Sequence, residues 1–439
     1  MGVDGQSGTI TLNGGTLAFV IAAGQTNAGG GWLRIGSNSG SSGTVTVNSG
    51  LLDVGHSASL AARFDNGAVA TTSSGTLTIS GGQVVVGSGT LSTTAGGANG
   101  YLYLSNDAAG STGSAIVNLN GGSLTAKRIV PGTGGGTKAL NFNGGSLRAG
   151  ASDSSFLAAA AGFTASIGNA GGTIDTNGFN VAISAPLDAG GTGGLTKIGT
   201  GSLTLSAANS FTGDTTISAG TLVAANASAL GTTGTVSIGA TGALRIADGV
   251  SFFRPLSIAT GGRVRLGDGS TVALPSAASL AAVESTSPEA LGTAARILFG
   301  SGATQPTALT TAWAPDPGEY FSDVLTLDGT GTGNTFVLSL AYDPAAPDLS
   351  LLNIGTRPGT SGPFAALGTN FVGTVAWSGS FTTPGQYGVD TTSGTVWAVS
   401  NHNSDFTVIA VPEPGLAAVA LAALATFASF AARRRRMAE

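Results

Sequence analysis

TTISAGTL (Thr215–Leu222), VSIGATGAL (Val236–Leu244) and LSIATGGRV (Leu256–Val264) place Ile217, Ile238 and Ile258 about 20 residues apart. A spacing near 20 is one turn of a β-helix, in which equivalent apolar residues stack from coil to coil. Upstream, a looser phrase recurs. It reads SGTITLNGGTLAF from Ser7, SGTVTVNSGLLDV from Ser42, SGTLTISGGQVVV from Ser74, SAIVNLNGGSLTA from Ser114 and TKALNFNGGSLRA from Thr137. Each copy is an alternating strand, a glycine-containing turn and a second alternating strand, with starts roughly 25 to 40 residues apart. Two architectures fit this phrase. Asn-Gly between alternating runs is the strongest short-range hairpin signal, because a type I′ turn needs φ > 0 at both central residues. A β-solenoid needs the same residues at its corners. The isoleucine spacing favours the solenoid.

The composition agrees with a β chain. Among 439 residues there are 73 glycines, 41% are hydrophobic and only 9% are charged. Disordered chains are highly charged and poor in β-branched residues, so plain disorder does not fit. A net charge of −5, with the one basic cluster at the C-terminus, excludes a general nucleic-acid binder, which needs clustered Lys and Arg. The absence of cysteine excludes disulfide staples, thiol catalysis and Cys-ligated metals. MGVDGQSGTI has neither a basic n-region nor an apolar h-region, so no signal peptide is visible, and an exported chain is expected to start upstream.

GGLTKIGTGSLTLSAANSFTGDTTISAGTL, Gly193–Leu222, resembles the autotransporter-associated β-strand repeat. The matching positions are Gly194, Leu195, Lys197, Gly199, Gly201, Leu203, Leu205, Asn209, Phe211, Gly213, Ile217, Gly220 and Leu222. The resemblance implies right-handed β-helix coils in an exported surface protein. One departure stands out: no series of tilted, lipid-alternating strands precedes the tail, so the membrane β-barrel of a true autotransporter is not expected.

From Val272 the texture changes, as prolines and aromatics concentrate. Strand-like runs at Arg296–Phe299, Val324–Leu327, Thr335–Ala341, Phe371–Trp377, Thr395–Val399 and Phe406–Ala410 read as a compact, sandwich-like β region. The expected fold is therefore all-β. A right-handed parallel β-helix spans 1–271, with the clearest repeat at 193–222. A β-rich domain follows over 272–410 and a tail over 411–439.

Catalytic chemistry is sparse. A β-helix polysaccharide lyase or hydrolase needs converging carboxylates, and the repeat-region aspartates mostly adjoin Gly or Asn as turn residues. His56 and His402 are the only histidines and neither has a ligand-spaced partner, so no metal or relay is expected. Gly329–Asn334, GTGTGN, has no following helix or P-loop lysine and reads as a strand connection. Trp313, Trp377 and Trp397 are read first as core, with a sugar-stacking platform as the alternative. No catalytic residue, cofactor or metal is expected.

The tail, VPEPGLAAVALAALATFASFAARRRRMAE, carries the addressing signal. Residues 416–432 lack charge and as a helix would reach about 25 Å, the short edge for a bilayer span. A single transmembrane helix is expected there, held C-terminus-inside by Arg433, Arg434, Arg435 and Arg436. With Pro412, Glu413 and Pro414 ahead of it, the tail resembles the PEP-CTERM sorting signal. That resemblance implies processing by exosortase, with Pro412–Pro414 recognised and the arginines retaining the chain at the inner membrane. The function expected is a non-enzymatic cell-envelope or extracellular-matrix protein of a bacterium, associated with exopolysaccharide. A glycan-binding adhesin using the C-terminal aromatics is the alternative, and a β-helix lyase ranks behind it.

Overall fold

The computed structural model describes residues 7–19, 33–36, 40–62, 72–88, 100–106, 112–133, 135–273, 283–286, 294–299, 308–315, 320–328, 335–343, 349–357, 363–376, 383–402 and 404–411. They fall into two compact units, Met1–Leu244 and Arg245–Glu439.

In the first unit the two halves of each phrase do not pair with one another. Ser7–Phe19 runs parallel to Ser42–Val54, matched from Ser7↔Ser42 to Leu12↔Val47 and again from Thr16↔Leu51 to Phe19↔Val54, with the register slipping at Asn13. The turn is thus a corner between two sheets, and each strand pairs with the next copy of itself. Three parallel ladders result. The first carries Ser74–Ile79, Ala115–Leu119, Lys138–Phe142, Phe163–Ile167 and Leu187–Ala189 onward from the leading halves of the two long strands. The second continues from their trailing halves through Gln83–Val86, Ser123–Ala126, Ser146–Ala149, Gly172–Asp175, Leu195–Ile198 and Thr215–Ala224. The third joins Leu33–Ile35, Ala58–Ala62, Tyr101–Asn106, Arg128–Pro131, Asp153–Leu157, Val181–Ile183, Ser202–Leu205 and the end of Thr215–Ala224.

Period-2 alternation decides what each strand buries. Val45, Leu77, Val117, Leu140, Ala165 and Leu187 form one inward column, each the register partner of the next and all buried. Ala58, Leu102, Ile129, Leu157, Ile183, Leu205 and Ala224 form another. Each fully buried Leu or Ile contributes about 2 kcal/mol of transfer free energy. Glycine stacks on glycine at one corner, where Gly50, Gly82 and Gly122 have φ of 84°, 66° and 58°. A Cβ on Gly82 or Gly122 would overlap the backbone of the coil before it, so the corner excludes side chains on steric as well as torsional grounds.

The second unit keeps some parallel pairing, Arg263–Leu266 with Val283–Thr286 and Ser251–Phe252 with Ser270–Ala273. It then becomes antiparallel. One sheet links Val283–Thr286, Ala294–Phe299, Phe336–Ala341, Thr395–Ser400 and Gln386–Asp390. The other links Ser270–Ala273, Ala308–Ala314, Val324–Asp328, Ser404–Ala410 and Leu352–Arg357. Phe336 of the first meets Phe406 of the second edge-on, with ring centroids 6.4 Å apart. Leu298, Val337, Trp397 and Val399 pack as a buried cluster.

The expected fold class needs one correction. The described residues are all-β apart from a short 3₁₀ turn at Leu349–Leu351, and no helix among them is long and apolar enough to cross a membrane. The transmembrane helix expected over 416–432 lies outside the described residues and gains no support. The expectation came from hydropathy and the four arginines that follow, in a run whose apolar character is mostly alanine, a residue that adds little to insertion.

Candidate functional site

The coil that most resembles a known repeat is closed by buried polar side chains. Leu195–Ile198 alternates as the other strands of its ladder do, so Lys197 occupies an inward slot, between Ile174 of the preceding coil and Ile217 of the next. Its side chain is fully buried. Nζ donates to Thr176 Oγ1 at 2.9 Å, to the carbonyls of Ile198 and Gly199 at 3.0 and 2.8 Å, and to that of Ala219 at 3.0 Å. An ammonium has three protons, so these four acceptors share them. Thr176 belongs to the coil before and Ala219 to the coil after, so one cation ties three coils at a corner.

Asn209 acts the same way at another corner. Its Oδ1 accepts from Leu187 N at 2.8 Å and its amide donates to the carbonyl of Ala229. Thr215 Oγ1 donates to Leu230 O at 3.2 Å, and Phe211 is fully buried beside them. Glycine is required at Gly194 and Gly201, where a Cβ would overlap the carbonyl oxygens of Asp214 and Phe179. Thus the glycine, lysine, asparagine and phenylalanine positions of this stretch are all explained by stacking.

Burial pushes the Lys197 pKa down to about 8, with the Asp175 carboxylate opposing the shift. A lysine in that range can serve as a general base, but this one is sealed from solvent and committed to protein acceptors. Carboxylates elsewhere pair with guanidinium groups rather than with each other. Arg148 meets Asp175 at 3.2 Å, Arg265 meets Glu284 at 2.9 Å and Arg357 meets Asp405 at 3.0 Å. Asp175 and Asp390 also accept backbone N–H bonds from two residues on, as turn residues do, and Asp214 accepts one from Thr235 of the next coil. Among the described residues no group of three or more His, Cys, Asp and Glu stands close enough to hold a metal ion.

The residues singled out by sequence are dispersed. His56 is buried, its pKa lowered by burial and then by the charge of Lys127. His402 stacks on Phe406 at 5.9 Å in the other unit. Trp313 and Trp397 are both buried, with their indole N–H groups donating to Ser285 Oγ at 2.9 Å and Val375 O at 2.8 Å. They belong to the core and offer no platform to a sugar. Trp377, Gly329–Asn334, Pro412, Glu413, Pro414 and Arg433–Arg436 lie outside the described residues.

What the first unit does present outward is a set of polar ladders. Thr78, Asn118, Asn141 and Ser166 are successive register partners on the first sheet. Asn118 Nδ2 donates to Thr78 Oγ1 at 3.3 Å, Asn141 Nδ2 to Asn118 Oδ1 at 2.9 Å, and Ser166 Oγ to Asn141 Oδ1 at 2.9 Å. On the third sheet the outward residues differ: Tyr101, Tyr103 and Arg128, with Asp153 paired to the arginine. Sequence reading passed over this group. The signal was YLYL, where alternation sends both tyrosines to the side opposite the buried Leu102 and Leu104.

Comparison with known proteins agrees with the coil just described. Residues 195–224 match the family model of the Passenger-associated-transport-repeat. No curated protein and no solved structure gives a significant match to the chain. The matched segment is a small part of 439 residues, and it carries the coarse assignment: an autotransporter-passenger-like chain, of the kind found in exported or surface proteins.

Proposed function

We propose that this is a non-enzymatic protein of the bacterial cell surface or extracellular matrix, associated with exopolysaccharide and delivered there by a C-terminal sorting signal. The observation that carries this reading is the passenger-type coil at 195–224, set in a parallel β-helix whose first sheet presents a column of threonine, asparagine and serine outward. Such a surface is neutral and rich in hydrogen-bonding groups, suited to lying among hydrated sugar chains. Buried Lys197 and the Arg-paired carboxylates give no converging acid and base, which supports a scaffold over a lyase.

For the tail, the order Pro412-Glu413-Pro414, apolar run, Arg433–Arg436 supports handling by exosortase. In this reading the arginines hold the unprocessed chain at the inner membrane, and cutting near Val411–Pro414 frees the body. Proline disfavours helix at itself and at the residue before it, which suits a site that a processing enzyme must accept in extended form. Intact mass of the protein recovered outside the cell tests this. A C-terminus near Val411–Pro414 supports the reading, and so does loss of trimming when Arg433–Arg436 are made neutral. Extracellular protein that keeps its arginines overturns it.

A further inference from the structure

Tyr101 and Tyr103 are the only tyrosines of the first unit, and they lie side by side on the outward face of the third sheet with ring centroids 6.1 Å apart. The next strand places Arg128 opposite Tyr101. Its guanidinium lies over the Tyr101 ring at 5.1 Å. Asp153, one coil further, grips the same guanidinium through both oxygens, at 2.7 and 2.8 Å. This grip uses Nε and Nη2, leaving Nη1 outside the pair, and it fixes the arginine with 35% of its side chain exposed instead of letting it sweep through solvent. Lys127 precedes it, with its stem laid across Gly100, where a Cβ would overlap it, and its backbone N–H bonded to Gly100 O at 2.8 Å. The stem thus lies at the corner where the tyrosine strand begins, and the lysine charge reaches His56. Asp153 neutralises Arg128, so among the described residues the positive charge beyond that pair is that of Lys127 and of Arg34, which shares the outward column of Tyr103 through Ser59. In a chain of net charge −5 with 9% charged residues, a fixed arginine and a surplus lysine next to the one tyrosine pair form a distinctive surface.

Aromatic faces accept the apolar C–H face of a pyranose, while phenol and guanidinium N–H and O–H groups meet its hydroxyls. A cation at the rim selects for a carboxylate on the sugar. We propose that Tyr101, Tyr103, Lys127 and Arg128, with Asp153 holding the arginine in place, form a binding site for an acidic polysaccharide that carries uronate groups. The assignment rests on the polysaccharide-associated reading above and narrows it to a polymer class and a face of the solenoid.

The test is affinity electrophoresis of the full-length chain in native gels cast with polygalacturonate or with uncharged dextran. Retardation is expected in the first and not in the second, weakening as salt is raised. Tyr103→Ala and Lys127→Gln should each lower the affinity about tenfold, and Lys127→Arg should restore it. If Tyr103→Ala does not fold, Lys127→Gln still decides, because it alters a part-exposed side chain. Absence of retardation, equal retardation by dextran, or affinity unchanged in both variants overturns the site. Export and trimming are scored separately in cells. Chain that is trimmed and released but ignores polygalacturonate refutes the site alone, whereas chain that is never exported refutes the functional reading whatever the gels show.

Discussion

Lys197 shows how one residue can carry the logic of the repeat. A lysine in an apolar column would ordinarily be destabilising, yet here its ammonium bonds the corner carbonyls of Gly199 and Ala219 and joins Thr176 on that of Ile198. Replacing it with methionine keeps the volume and removes the ammonium's bonds at this corner. Lys197→Met should therefore lower stability by about 2–4 kcal/mol at neutral pH, measured by urea denaturation. The pH dependence has a definite sign. Folding depresses the lysine from 10.5 to about 8, so between those values the unfolded chain binds more protons. Stability attributable to Lys197 should rise with pH through that window, and the rise should be missing in Lys197→Met. A second residue-scale test is Gly201→Ala. Its added methyl would overlap Phe179 O across a coil contact that cannot widen without breaking the ladder, so loss of about 3 kcal/mol or more is expected, seen as a lowered melting temperature.

At the scale of the strand, the inward and outward slots differ sharply. Leu203 lies between Val181 and Leu222 in register and is fully buried, so Leu203→Ala should cost about 2–5 kcal/mol. Its outward neighbour Thr204 should tolerate alanine within about 0.5 kcal/mol, and paired denaturation curves check the contrast. The same contrast explains what was legible beforehand. Alternation in SGTVTV or SLTL announces a strand and its buried side, because the side-chain period is 2 in any sheet. It does not announce the partner. SAIVNLNGGSLTA is compatible with a hairpin folded on itself or a corner between sheets, and only the neighbouring copy at Lys138–Phe142 and Ser146–Ala149 settles which. Lys197 was recognised as a motif position, but its role in the core depends on acceptors contributed by two other coils, which no local pattern displays. The antiparallel strands were partly legible for a related reason. Phe336–Ala341 and Thr395–Ser400 are strongly apolar and stood out, while Gln386–Asp390 and Leu352–Arg357 hold their place through pairing and were missed.

For the molecule as a whole, the account holds that the first unit is a single stack, each coil templating the next along three parallel ladders, and that its outward columns are the working surface. Since the chain contains no cysteine, every introduced pair reports alone. Neighbouring parallel strands lie about 4.8 Å apart, within the Cα range a disulfide bridges. Four double-cysteine variants sample the stack at outward register partners: Thr46 with Thr78, Asn118 with Asn141, Ser146 with Thr173, and Thr196 with Thr216. A fifth, Asn118 with Thr125, joins residues that face each other only if the phrase folds back as a hairpin on Gly121-Gly122. Mild oxidation followed by mass spectrometry of the digested chain gives the answer. The account predicts cross-links in all four coil-to-coil pairs and none between 118 and 125. A cross-link at 118 and 125, with the coil-to-coil pairs left as free thiols, would contradict it.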